Sequence, residues 1–239
     1  MISIIIPTLN EESVLAETLE YLKKLTLPHE IIISDGNSSD KTVEIAKKYT
    51  DKILVHKEDK RQTIAHAKNS GAAQAAGDYY VFIDADILIK DIDNFFQALI
   101  NDFEKDETLA GATVSLRVME HLATRRDEFF FDLVNRTHAL NNNILKIGSA
   151  SGEFQMIRAS YFKQAGGYNE LLAVAEDNDM FARLAKLGKT RMYYDMQVFH
   201  TGRRAHNIGW TKLLYQWFIN YFSVVLFKKS AHKEWKPIR

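Results

Sequence analysis

The sequence predicts an α/β protein: a mostly parallel central sheet flanked by helices, followed by a C-terminal amphipathic helix. Three observations carry this. Short apolar, β-branched runs alternate with stretches of helical period over the first hundred residues, the pattern of successive βα units. The runs stop at polar residues, at Pro7-Thr8, Asp35-Gly36 and Asp84-Ala85-Asp86. In open parallel sheets the ligand crevice lies beyond such strand ends. Near the C-terminus, "GWTKLLYQWFINYFSVVLFKK" (Gly209 to Lys229) sets aromatic and aliphatic residues at helical spacing.

The elements follow in order. Ile2 to Ile6 is a buried-strand run stopped by Pro7. Asn10 is the expected N-cap of a first helix, with Glu11 and Glu12 in its first turn and Leu15, Leu19 and Leu22 as its apolar stripe. Glu30 to Ser34 is the second strand. Ser39 or Asp40 caps the next helix, where Val43, Ala46 and Tyr49 recur every three residues. Lys52 to Val55 is a third strand. An alanine-rich helix runs from about Gln62 to Ala76 and breaks at Gly77, before the fourth strand, Tyr79 to Ile83.

The second half is less regular. Gly111 to Val118 and Glu153 to Arg158 read as strands, Arg126 to Ile147 as a mixed helical region, and Gly166-Gly167 as a tight turn. A helix from about Asp177 to Leu187 ends at Gly188, expected as a C′ glycine. The simplest division is one αβ domain over 1–205, split into halves 1–110 and 111–205, followed by a helix and basic tail over 206–239.

Composition narrows the function classes. The 239 residues are 46% hydrophobic and 26% charged, with 31 basic against 31 acidic side chains, so no global basic field argues for nucleic acid as a partner. Without cysteine, disulfides and thiol chemistry are excluded and any metal takes oxygen or nitrogen ligands. The opening "MISIIIPTLNEE" lacks a basic n-region, so it is not read as a signal peptide. A cytoplasmic protein is expected, one that rests on the membrane face if the C-terminal helix is interfacial.

Several residues invite chemistry. Asp84 and Asp86 fall on one side of an extended backbone and repel unless a cation joins them, for which Mg²⁺ or Mn²⁺ is the suitable hard ion. The plainer reading is a solvated loop of capping aspartates. Asp35 is placed to accept from a nucleobase or ribose, with Gly36 permitting the turn. Glu176 and Asp177 open a helix, either as caps or as a general base beside a crevice. His200 is a structural histidine unless the fold returns it to the Asp84/Asp86 edge. Lys68 is either a diphosphate contact or part of a solvated helix face. Arg203 and Arg204 follow Gly202 in an expected mobile loop that closes on a ligand.

Taken in order, "SIIIPTLNE" (Ser3 to Glu11), "IIISDGNSSDKT" (Ile31 to Thr42), "AKNSGAAQAAGDYYVFIDAD" (Ala67 to Asp86), "GGYNE" (Gly166 to Glu170) and "EDNDMFARLAKLGK" (Glu176 to Lys189) resemble family 2 glycosyltransferases. That resemblance implies a GT-A, Rossmann-like fold. It also implies inverting transfer of a sugar from a nucleotide-diphosphate donor, a UDP- or GDP-sugar, to a hydroxyl of a glycan or lipid-linked acceptor. Pro7, Thr8, Glu11 and Asp35 would hold the nucleotide, with Asp35 reading the base. Asp84 would lie near ribose and metal, Asp86 and His200 would bind Mn²⁺ or Mg²⁺, and Asp177 would be the base. Two departures stand out: Ser34 replaces a common first aspartate, and the Q-x-x-R-W signature of processive synthases is absent, which favours single-sugar addition.

Two rival readings remain. A nucleotidyltransferase acting on sugar phosphates would normally show a glycine-rich loop after its first strand, which "PTLNEE" lacks. A non-catalytic nucleotide-sugar-binding protein would be expected to have lost Asp86 or Asp177, and both are present. For 210–229 the alternatives are a helix packed on the domain or in a homodimer, and an interfacial membrane helix reinforced by Lys228, Lys229, Lys233, Lys236 and Arg239.

Overall fold

A computed structural model describes residues 1–58 and 61–227, the side chains of 221, 222 and 224–227 excepted. The basic tail therefore lies outside the described residues, as do the side chains of the apolar positions Tyr221, Phe222 and Val225.

Seven strands form one sheet: β1 (Ile2–Thr8), β2 (His29–Asp35), β3 (Ile53–Val55), β4 (Tyr79–Ile83), β5 (Leu109–Val118), β6 (Phe154–Arg158) and β7 (Lys189–His200), in the order β3-β2-β1-β4-β6-β5-β7. The pairs β1–β2, β1–β4, β2–β3 and β5–β7 are parallel, whereas β6 runs antiparallel between β4 and β5. The mostly parallel sheet expected from the alternation is present. The reversal of β6 brings Phe154 opposite Ile83, so the chain just before β6 meets the chain just after β4.

The helices are α1 (Leu15–Leu22), α2 (Thr42–Ala46), α3 (Ile64–Ala73), α4 (Ile92–Lys105), α5 (Arg125–Ala139), α6 (Ala159–Gln164), α7 (Glu176–Leu187), α8 (Arg203–Ile208) and α9 (Trp210–Phe227). A π-helical turn, Leu140–Ile144, extends α5. Strands β1 and β4 and most of β2 are buried on both faces. Ile4 and Ile6 of β1 point into a core shared with Leu19, Phe96 and Phe154, while Ile5 points into the opposite core with Phe82, Phe162 and Phe181. This is why β1, β2 and β4 read as continuous apolar runs rather than alternating ones.

Several local expectations are corrected. Asn10 does not cap α1, which begins five residues later. It sits at φ 55°, and its side chain accepts from the Ser39 amide (2.8 Å), tying the β1 loop to the β2 loop. The first turn of α1 carries Glu17, not Glu11 or Glu12. Neither Ser39 nor Asp40 occupies the N-cap of α2, which is Lys41; Asp40 accepts from the Thr42 amide (3.0 Å). The left-handed residue of the β2 loop is Asn37 (φ 71°), not Gly36. Gly188 is extended, not left-handed; a Cβ there would lie 2.6 Å from the Thr108 carbonyl, so its smallness admits a neighbouring strand. Arg203 and Arg204 lie in α8, not in a loop.

Helices α4 and α6 and the twelve-residue strand β7 are not expected from the sequence, although Phe95, Phe96, Leu99 and Phe103 give α4 a well-formed apolar face. Gly166 and Gly167 form the expected turn, both at positive φ.

Candidate active site

The carboxyl ends of β1, β2 and β4 line up, with Thr8 directly opposite Asp35 in the β1–β2 register. They open into a cleft of about 1210 Å³. Of the predicted site residues, Pro7, Thr8, Glu11, Lys68, Asp84, Asp86, Glu176, Asp177, His200, Arg203 and Arg204 all line it. Asp35 does not. Its carboxylate is fully buried, accepting from Thr8 Oγ1 (2.8 Å), the Ser38 amide (2.7 Å) and Ser38 Oγ (2.5 Å). The cleft is lined by Gly36 beside it, and these bonds make Asp35 a clamp on the loop.

Asp84 directly follows β4, and Ala85 and Asp86 form a turn, so the two carboxylates do not share one extended strand. The turn is pinned by Thr18 Oγ1, which donates to the Ala85 carbonyl (2.8 Å), and by the Leu88–Phe199 bridge to β7 (2.8 Å). That bridge returns His200 to the same edge. Asp86 accepts from Thr201 Oγ1, and Arg203 Nε lies 3.6 Å from it. Arg203 is also held by Glu11 through two bonds of 2.7 and 3.1 Å, the fork geometry that favours arginine at carboxylates.

Across the cleft, Lys68 Nζ donates to Glu176 Oε1 at 3.0 Å. Lys68 is 1% exposed, which excludes the solvated-face reading. The pair holds both charges in a site where a lone charge would be costly. Its ammonium also lies 4.9 Å from the Tyr168 ring centroid. Glu176 is thus committed to an ion pair, and the carboxylate left facing the cleft at the start of α7 is Asp177.

Burial and crowding shift these groups. Asp177 is pushed up to about 8, by burial first and then by Glu176, with Lys68 opposing. Asp84 is pushed up to about 7 by burial, then by Glu153 and Asp86. Glu153 moves upward for the same reason, burial, while burial drives the His200 imidazole downward. Glu153 went unread in the sequence: it enters the site only because antiparallel β6 brings its carbonyl to the Asp84 amide (3.4 Å). Thr201 was missed too, although it directly follows His200.

Among the described residues, no three His, Asp or Glu side chains are gathered into a preformed metal cage. The residues present nevertheless suit a cation shared with a bound phosphate. Two carboxylates crowd one edge, and the buried Nε2 of His200 has no hydrogen-bond partner. Mg²⁺ is commonly held this way, by one or two carboxylates with substrate phosphates.

The opposite end of the cleft differs. Its walls are Leu116, Phe131, Leu133 and Val134 from β5 and α5, with Leu213, Leu214, Trp217 and Phe218 from α9. Helix α9 packs on the domain: Trp210 stacks on Phe130 (4.7 Å between centroids) and its Nε1 donates to Asp127 (2.8 Å). Between the ends, His138 accepts or donates at Ser149 Oγ (2.8 Å), and burial holds its ring down to about 4. The π-helical turn fixes this wall, since Asn142 Nδ2 bonds the carbonyls of His138 (2.8 Å) and Ser149 (2.6 Å).

The architecture is the GT-A fold of solved glycosyltransferases. A mannosyltransferase from Pyrobaculum calidifontis in complex with GDP-Man and Mn²⁺ superposes with TM-score 0.72 at 18% identity, covering 94% of this chain and 64% of that one. Glucosyl-3-phosphoglycerate synthase from Mycobacterium tuberculosis, in complex with Mg²⁺ and UDP, gives TM-score 0.61 at 18% identity, with 95% and 78% covered. The chain belongs to glycosyl transferase family 2, whose family model matches residues 3–166. Among curated relatives, the poly-β-1,6-N-acetyl-D-glucosamine synthase of Staphylococcus epidermidis is 31% identical over 186 residues, 74% of this chain and 43% of that protein. The probable glycosyltransferase YdaM of Bacillus subtilis is 28% identical over 203 residues, 78% of this chain and 47% of that protein. This chain therefore spans less than half the length of these relatives.

Proposed function

We propose that the protein transfers a single sugar, with inversion, from a nucleotide-diphosphate donor to an acceptor hydroxyl. The observation that carries this is that Asp84 and Asp86, at the end of β4, line one cleft with a half-buried, base-strengthened Asp177. In this reading the half 1–110 binds the nucleotide, the half 111–205 binds the acceptor, and 206–239 is an appendage whose helix closes the apolar end.

Pro7, Thr8 and Gly36 form the floor beneath the nucleotide, and Asp35 holds Thr8 and the loop in place. Asp86 and Asp84, with His200, hold a Mn²⁺ or Mg²⁺ ion. Such an ion, when bound, neutralises charge on the departing diphosphate. Arg203 leaves Glu11 and Asp86 to contact the diphosphate, with Arg204 beside it. Asp177, once ionised, takes the proton of the acceptor hydroxyl while that oxygen bonds to the anomeric carbon, and the sugar–diphosphate bond breaks with its electron pair on the leaving oxygen. Lys68 neutralises Glu176 and keeps Asp177 from being crowded further. The acceptor is a glycan or a lipid-linked glycan entering from the apolar end.

A thermal-shift screen of UDP and GDP, each with and without Mn²⁺, tests this reading. At a hundredfold its dissociation constant, the recognised nucleotide stabilises the fold by about 2.7 kcal/mol. The expected result is a metal-dependent shift for one nucleotide that Asp86→Ala abolishes. Absence of a shift with either nucleotide refutes the donor site.

A further inference from the structure

An exposed apolar stripe runs along α5 and its π-helical continuation. Phe129, Leu133, Leu140 and Ile144 recur at helical spacing and, with Tyr215 and Phe218 of α9, are between 44% and 69% exposed. Leu133, Tyr215 and Phe218 all line the apolar end of the cleft, so the stripe and the exposed face of α9 meet at one mouth. Large apolar side chains grouped at an opening mark an interaction surface, not ordinary surface scatter.

Charge selects the occupant. Arg125 and Arg126 of α5, Lys212 of α9 and Lys146, two residues past the π-helical turn, are exposed, against Glu128 of α5. Directly after α9 the sequence places Lys228, Lys229, Lys233, Lys236 and Arg239 against Glu234 as the only acidic residue. Aromatic and aliphatic residues beside lysine and arginine match the chemistry of an anionic lipid surface, apolar within and negative at the headgroups. A second copy fits less well, because a two-fold contact sets the same patch against itself and would face these cations with one another.

We infer that the α5 stripe and the exposed face of α9 dock on an anionic membrane surface. If the transferase reading holds, docking sets the apolar mouth of the cleft against the headgroups, where an acceptor carried on a lipid presents its hydroxyl. The docking itself does not depend on that chemistry.

Flotation of the full chain with vesicles tests it. Vesicles of phosphatidylcholine with about one third phosphatidylglycerol should carry the protein upward, and phosphatidylcholine alone should not. Phe129→Gln/Ile144→Gln should lower the bound fraction about tenfold, and Lys146→Glu/Lys212→Glu should lower it as well. The response of each variant to nucleotide and Mn²⁺ should match that of the parent chain, which shows that the fold is intact. Should the double variant fail to fold, Ile144→Gln, at the most exposed position of the stripe, serves instead. No binding of the parent chain to anionic vesicles overturns the inference. So does equal binding by the variants, or a dimer in sedimentation that Phe129→Gln/Ile144→Gln converts to monomer. Vesicle binding without any nucleotide shift would overturn the donor site and leave the docking surface standing.

Discussion

At one end of the cleft the walls are strand ends carrying Thr8, Asp84 and Asp86; at the other they are helix faces carrying Leu133, Leu213 and Trp217. The first end gathers like charges in a site that burial makes unfavourable for them, so it calls for a cation or a proton before its carboxylates can coexist. The second end is apolar, packed at Leu213 and exposed at Leu133 and Phe218. The contrast separates two jobs: one end is electrostatically unfinished until a ligand arrives, while the other presents apolar surface at an opening.

Removing the base should give the largest effect. Asp177→Asn should lower turnover by about 10²- to 10⁴-fold with nucleotide affinity retained in a calorimetric titration. If affinity falls in parallel, Asp177 belongs to the donor end and the division fails. Breaking the buried pair comes next. Lys68→Met strands Glu176 and should cost about 3–5 kcal/mol in urea unfolding, most of it recovered in Lys68→Met/Glu176→Leu. Full additivity of the two changes would show that they do not form a pair.

At the apolar end, Leu213→Ala removes a side chain only 1% exposed and should cost about 2–4 kcal/mol. The shift produced by nucleotide and Mn²⁺ should stay unchanged; if it vanishes, the two ends are not independent. A pH profile sharpens the first end. Asp177 must be ionised to act, and its free-protein value near 8 places the acidic limb of kcat/KM there, so the rate should rise with pH up to about 8. A limb near 4 would show that Asp177 is not the essential base.

A last test concerns stability. Asp177 titrates at the ordinary 3.8 when unfolded and near 8 when folded, so the folded chain carries the extra proton between these values. Its contribution is fully present below pH 4 and is lost as pH rises through 8. Asp177→Asn should therefore raise the melting temperature of the ligand-free protein most at pH 8 and above, and leave it unchanged near pH 4. A gain that is the same at both pH values would show that burial of the charge is not the cause.

What was legible in the sequence was local. Runs such as Ile2 to Ile6 and Tyr79 to Ile83 announce buried parallel strands because both their faces are covered. Polar residues that follow such runs mark the crevice because the fold places strand ends there. The carboxylates Asp84 and Asp86 were found on that logic and Asp177 at a helix start, and the order of motifs pointed to the family to which the chain proved to belong.

Other features depended on distant contacts. Asp35 reads as a ligand-facing acid, yet Ser38 and Thr8 close around it. Asn10 reads as a cap, yet it adopts a left-handed turn to join two loops. Glu153 enters the site only through the reversal of β6, and Lys68 and Glu176 meet across 108 positions of sequence. Periodicity and strand-end chemistry, which act over a few residues, determined by themselves the α/β class and the acidic edge. Which carboxylates crowd, which are neutralised and which line the opening is decided by the packing of strands and helices far apart in the chain. Burial and charge proximity are properties of that three-dimensional arrangement and have no local signature.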